Sequence, residues 1–152
     1  MKGAYILIIR VEQPVSVHIK SLGDISFRSG LWVYVGSAMG DGSTSLENRL
    51  KRHFRKEKTI YWHIDYLLDA DTEIEEAIWT ESTEPVECDL AQSIAAHHDF
   101  ILGPRAFGSS DCRRGCIAHT YFYDSAEQIR NNLIQVFRKL GLQPHMTKTG
   151  SL

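Results

Sequence analysis

The sequence predicts one α+β domain, and three observations carry that expectation. Short runs rich in Ile, Val and Tyr fill the first third of the chain and read as antiparallel strands. Stretches with apolar residues at three- and four-residue spacing follow and read as helices. The length, 152 residues at 43% apolar and 24% charged, suits a single core, because a chain of this size buries roughly two thirds of its unfolded surface and needs no disulfide or metal staple. Residues 1–142 are expected to form that domain and 143–152 a loose tail.

Ala4 to Val11 is an apolar run bounded by Gly3 and Gln13-Pro14, which predicts a buried strand. Val15, Val17 and Ile19 alternate with Ser16, His18 and Lys20, as in a half-exposed strand. Gly23-Asp24 marks a turn, and Ile25 to Phe27 returns as a short edge piece. Leu31 to Val35 reads as a further strand from its Trp, Val and Tyr content. Residues 36–45 are Gly-, Ser- and Thr-rich, hence a loop whose hydroxyls suit a helix N-cap. A helix is expected from Leu46 to Lys58, with Leu46, Leu50, His53 and Phe54 on one face and Arg49, Arg52 and Lys56 on its flank.

His63 to Leu68 predicts a second short helix, Glu73 to Trp79 a strand, and Val86 to His98 a third helix behind Pro85. Ile117 to Tyr123 reads as the last strand. Ser125 with Gln128 makes a capping-box pattern for a final helix whose stripe is Ile129, Leu133, Val136, Phe137 and Leu140, ended by Gly141.

The net charge of −2, from 17 Lys and Arg against 19 Asp and Glu, argues against a bulk polyanion binder. The distribution is uneven. Arg49, Lys51, Arg52, Arg55, Lys56 and Lys58 crowd one stretch, whereas residues 59–104 hold no Lys or Arg and many carboxylates. One face is therefore able to attract phosphates, although a solvated basic helix face remains an alternative. The apolar run at Tyr5 to Ile9 stops at Arg10, too short for a signal-peptide core or a membrane span, so no membrane partner is expected. Three cysteines cannot all pair within the chain, which predicts a reduced, cytoplasmic setting.

No Walker loop, dinucleotide-binding glycine pattern, HExxH or GxSxG sequence is present. Instead Gly3-Ala4-Tyr5 opens the first strand, Tyr34-Val35-Gly36 closes a later one, and a helix reading Leu46-Glu47-Asn48-Arg49 follows. With His63 and Glu87 in order behind them, this set resembles the GIY-YIG nuclease family over residues 3 to about 98. The stretch from Phe107 to Cys112 with His119 resembles an uncharacterised branch of that family, found alone or fused to DNA-repair domains in archaea. Two departures are Ala4 in place of isoleucine and a long interval between Tyr5 and Tyr34, read as an inserted hairpin at Val15 to Phe27. Tyr34 shares the face of Tyr5 only if the two strands keep register, since a one-residue slip turns a side chain over.

The resemblance implies a small domain with a central antiparallel or mixed sheet flanked by helices. It implies a metal-dependent endonuclease acting on DNA, with repair or branched-DNA processing as the setting and RNA as an open alternative. Tyr5, Tyr34, Arg49, His63 and Glu87 would be its catalytic residues, with Tyr5 the general base and Glu87 the ligand of Mg2+ or Mn2+. The chemistry agrees residue by residue. Phosphodiester cleavage needs a base near the attacking water, a cation to absorb charge on the phosphate, and commonly a divalent metal at the leaving oxygen. Arg49 offers a planar fork of donors, and Glu87 a hard oxygen ligand. A free phenol titrates near ~10, so Tyr5 needs positive neighbours to act as a base.

Lys51, Arg52, His53, Arg55 and Lys56 are expected to hold backbone phosphates without reading bases. His53 has a helix-packing role as its alternative, His63 a packing role, and Glu87 that of a helix-opening carboxylate. A binding module of the same fold that grips nucleic acid or a protein without cutting is the competing reading of the whole chain. Cys112, Cys116 and His119, with Cys88 as a fourth ligand, make a candidate tetrahedral zinc site, against the alternative of thiols packed in the core.

Overall fold

The computed structural model describes residues 1–110 and 112–152; Asp111, read from the sequence as part of the loop before Cys112, lies outside the described residues. The chain forms an α+β domain around a six-stranded sheet. β1 (Gly3–Val11) lies between β4 (Gly30–Ala38) and β5 (Thr72–Glu81). β6 (Phe100–Leu102) and β7 (Thr120–Tyr123) extend one side, and β8 (His145–Thr147) closes the other. All of its pairings are antiparallel, so the mixed alternative does not apply.

Both faces of β1 are covered, which is why its sequence is continuously apolar rather than alternating. Tyr5, Leu7, Ile9 and Val11 face one core with Trp32 and Tyr34 of β4. That core is roofed by α1 (Leu46–Phe54), α2 (His63–Asp69) and a separate hairpin, β2 (Val15–Ile19) and β3 (Gly23–Phe27). Ala4, Ile6 and Ile8 face a second core under α3 (Glu87–Ala95) and α4 (Ile129–Lys139). The hairpin occupies the interval between β1 and β4, as the sequence implied, and leaves their pairing undisturbed. Among the described residues no helix is long and apolar enough to cross a membrane.

Several boundaries differ from the sequence reading, each for a local reason. α1 ends at Phe54 rather than Lys58 because Lys58 Nζ folds back onto the carbonyls of His53, at 2.9 Å, and Arg55, satisfying the helix end. The last inner strand starts at Thr120 rather than Ile117, since the preceding residues belong to an irregular connection. Ser125 makes no capping box: its Oγ accepts from Glu127 N at 3.1 Å, and α4 starts without a side-chain cap at Gln128.

The segment read as a loose tail is instead the sheet's outer strand. Ala77, Ile78 and Trp79 pair with Thr147, Met146 and His145, and the His145 ring stacks on Trp79 at 4.4 Å. Thr147 Oγ1 then accepts from the N–H groups of Thr149 and Gly150. Backbone pairing and one ring stack hold this strand, and neither leaves an apolar period in the sequence.

Candidate functional site

A cleft of about 440 Å3 opens at the sheet end where β1 starts and β4 finishes. Its lining includes Tyr5 from β1, Tyr34 from β4, Arg49 from α1, and His63 and Glu87, the first residues of α2 and α3. The structure thus brings together all five residues singled out in the sequence. Ser37, Tyr61, Trp62, Gly108 and Ser110 complete the wall. The Tyr61-Trp62 pair had a signal, two adjacent aromatics just before His63, and Gly108 and Ser110 lie in the Phe107 to Cys112 stretch already singled out; Ser37 had none.

Strand register puts both phenols on one face. Tyr5 pairs with Gly36, and Tyr34 with Leu7, so Tyr5 and Tyr34 stand on the same side of adjacent strands. Two glycines make room for them. A Cβ at Gly36 would stand 2.5 Å from the Tyr5 ring carbon bearing the hydroxyl, and one at Gly108, where φ is +77°, would stand 2.8 Å from Tyr34 Cε1.

The Tyr5 hydroxyl lies 2.7 Å from Nε2 of His53, which α1 buries beneath it. His53 Nδ1 is buried without a partner. Placing the ring proton on Nε2 makes His53 the donor to the Tyr5 oxygen and leaves only a lone pair unpaired. The Tyr5 proton is then free for the cleft. Burial pushes the His53 imidazole down to about 3, with Lys58, Arg52 and Arg49 adding to the fall and Asp65 opposing it, so the ring is neutral at neutral pH. Burial pushes the Tyr5 phenol above its ordinary value despite the nearby Arg49, and raises Tyr34 as well. The surrounding protein therefore does not supply the downward shift that the sequence argument required of a tyrosine base.

Arg49 leans its guanidinium over the Trp62 ring at 4.5 Å and donates from Nη1 to the Ser37 carbonyl. Its Nε is buried without a hydrogen-bond partner. Arg52, one turn along, also stacks on Trp62 at 4.4 Å, but both of its terminal nitrogens bind Asp65 at 2.8 Å. Asp65 is fully buried and accepts as well from Tyr61 N and Trp62 N at 2.9 Å, which pins the start of α2 and the aromatic wall. Burial raises its carboxyl, but Arg52 and the two N–H groups outweigh that and hold it below the usual carboxylate range.

His63 Nδ1 accepts from Gly108 N at 3.2 Å, so the neutral ring carries its proton on Nε2. This bond also ties the connection after β6 to the cleft. Glu87 Oε1 lies 2.7 Å from Nδ1 of buried His119. Behind it, Cys88, Cys112, Cys116 and His119 are gathered with their ligand atoms within 4.8 Å of one another.

The expected phosphate-binding set does not act as one surface. His53 is buried under Tyr5, so it cannot touch a nucleic-acid backbone. Arg52 is committed to Asp65 and the Thr59 carbonyl. Lys56 Nζ binds the Thr72 carbonyl at 3.2 Å. Lys51 and Arg55 stay exposed beside a second groove of about 790 Å3, between α1 and the C-terminal Thr149 and Ser151. Helical periodicity gave the face of each side chain but not the buried carboxylate that claims Arg52.

Fold and cleft together define a class: an antiparallel α+β domain with a polar, aromatic-walled cleft built around one uncommitted arginine and one carboxylate. The model of the family described as Domain of unknown function DUF123 matches residues 4–142, and the chain belongs to that family. No curated protein and no solved structure matches the chain.

Proposed function

We infer that the cleft is a metal-dependent phosphodiesterase site acting on DNA, an endonuclease of the GIY-YIG type that the sequence motifs resemble. One observation carries the reading: residues spread from position 5 to 87 line a single open cleft. Arg49 arrives there with donors to spare and is oriented by Ser37 and Trp62, which suits it to bind a phosphate and neutralise charge as a bond breaks. The Nε2–H of His63 and the hydroxyl of Tyr5 are further donors. Tyr61, 77% exposed and edge-on to Trp62 at 5.3 Å, offers a face on which a base can stack.

The donor set fits Mg2+ or Mn2+. It is rich in oxygen, and only one oxygen of Glu87 has a protein partner among the described residues. Glu87 would hold the ion, which would stabilise charge on the leaving oxygen and lend a positive field to the Tyr5 phenol. Tyr5, steadied by His53, would orient the attacking water; as the phenolate, its own proton first released to solvent through the cleft under that field, it would accept the water's proton, and Tyr34 would position water or phosphate beside it. The basic groove would receive the DNA backbone through Lys51 and Arg55.

A second reading, a nucleic-acid-binding module that does not cut, draws support from the phenols, since burial keeps both protonated at neutral pH. Incubating the full chain and Glu87→Ala with supercoiled, branched and single-stranded DNA in Mg2+ or Mn2+ separates the two. The nuclease reading expects cleavage by the parent and a loss of roughly 100- to 1,000-fold in the variant with binding retained. Binding without cleavage in both proteins would leave the module.

A further inference from the structure

Cys88 stands in the first turn of α3, Cys112 and Cys116 in the connection between β6 and β7, and His119 at the end of that connection. These places are remote in sequence, yet the chain draws their side chains into one cluster. Cys88 Sγ is 3.4 Å from Cys112 Sγ and 3.8 Å from His119 Nε2. Ligands at ~2.3 Å (sulfur) and ~2.0 Å (nitrogen) from a tetrahedral zinc ion stand ~3.5–3.8 Å apart. The observed separations fall close to those values, and all three thiols are free rather than bridged.

The alternative of ordinary core thiols fits less well. Each cysteine is only part-buried; Cys88 Sγ faces Cys112 Sγ and the His119 imidazole, and Cys116, although it also packs against the second core, offers its sulfur to the same cluster. The connection they anchor has no helix or strand among its described residues, so it has little regular structure of its own to hold it. It nonetheless delivers Gly108 and Ser110 to the cleft wall.

The surroundings are those of an outer coordination shell. Metal-bound histidines usually give their second N–H to a carboxylate. His119 Nδ1 lies 2.7 Å from Glu87 Oε1, an ion-pair contact at hydrogen-bond distance whose angle leaves Nδ1 short of a formed hydrogen bond, while its Nε2 faces Cys88 Sγ. Arg114 N donates to Cys112 Sγ at 3.4 Å, and the Arg114 guanidinium, paired with Asp89 at 2.9 Å, adds positive charge near the thiols.

We propose that Cys88, Cys112, Cys116 and His119 bind one Zn2+ in a closed structural site, with Glu87 as the outer-shell partner of His119. The ion fastens the β6–β7 connection to the start of α3. It also fixes Glu87 through one oxygen and leaves the other to the cleft. Zinc binding stands independently of whether the cleft cuts DNA.

The test is metal analysis of the full chain purified without added zinc, followed by exchange of the ion for Co2+. One zinc per chain is expected, and the cobalt form should show thiolate charge-transfer absorption and the d–d bands of a tetrahedral site. Cys112→Ser and His119→Gln should lose the stoichiometric zinc. Glu87→Gln should still load one zinc at saturation but bind it about 10- to 100-fold more weakly in competition with a chelating dye. Where a ligand variant fails to fold, the cobalt spectrum of the parent carries the test. Protein that takes up neither Zn2+ nor Co2+ would overturn the proposal, as would a Cys88–Cys112 disulfide in zinc-free protein or full zinc retention by folded Cys112→Ser. An unchanged zinc affinity in Glu87→Gln would overturn the outer-shell role. None of these measurements uses DNA cleavage, so the site and the nuclease reading stand or fall separately.

Discussion

Arg49 and Arg52 are one helical turn apart, and both rest on the Trp62 ring, at 4.5 and 4.4 Å. Their surroundings give them opposite work. Asp65 fills the fork of Arg52 and closes a buried, paired network. Arg49 meets one backbone carbonyl, keeps a buried Nε without a partner, and lines the open cleft. A charge with a complete set of partners stabilises structure; the same charge left short of partners at a cavity is a binding group. Residue type does not distinguish them, and the location of the nearest carboxylate does.

The comparison breaks first at Asp65. Asp65→Ala strands the Arg52 charge and frees two backbone N–H groups, with an expected loss of about 3–5 kcal/mol in urea unfolding. A loss under about 1 kcal/mol would mean that Arg52 is as uncommitted as Arg49. Next in size, Arg49→Ala should reduce cleavage by roughly 100- to 1,000-fold while unfolding free energy shifts by no more than about 1–2 kcal/mol. Equal damage to stability in both variants would erase the distinction.

His53, beneath Tyr5, sharpens the contrast through pH. Its imidazole is held at about 3 in the fold against ~6.5 when unfolded. Between those values the unfolded chain binds the extra proton. Stability should be complete above about pH 6.5 and fall as pH drops, by up to ~1.4 kcal/mol per pH unit. The groups acting on the ring are Asp65, Lys58, Arg52 and Arg49, with Tyr5 in direct contact. Asp65, itself lowered, adds a separate loss beginning only below about pH 4. Denaturant titrations should therefore show two acid phases, and His53→Phe should flatten the upper one. A single phase near pH 4 would place His53 in contact with water.

The smallest effects belong to the exposed cations. Lys51→Ala and Arg55→Ala should each lower the slope of log affinity against log salt by about 0.9 for duplex DNA and leave the cutting rate of bound substrate unchanged. An unaltered slope would put the DNA path elsewhere than the groove beside α1.

Much of the fold was legible because buried strands and amphipathic helices leave periodic marks. β1, β4, α1 and α2 start within a residue or so of where those marks place them. β8 left no such mark, since it is held by backbone pairing with β5 and the Trp79–His145 stack. The cleft was legible as five side chains in order, because two tyrosines on neighbouring strands and an arginine on the next helix converge once register is kept. Its electrostatics were not. That burial raises Tyr5 and neutralises His53 depends on how completely α1 covers them, and no local pattern encodes that coverage.

By itself the sequence determined the α+β class, the order of the inner strands and the chemical types available, because periodicity and residue identity are local properties. Tertiary structure alone decided which of two neighbouring arginines is free, that four scattered thiol and imidazole groups share one point, and that Glu87 touches both that point and the cleft. Those are matters of partnership between residues distant along the chain, and partnership is settled only when the strands and helices pack.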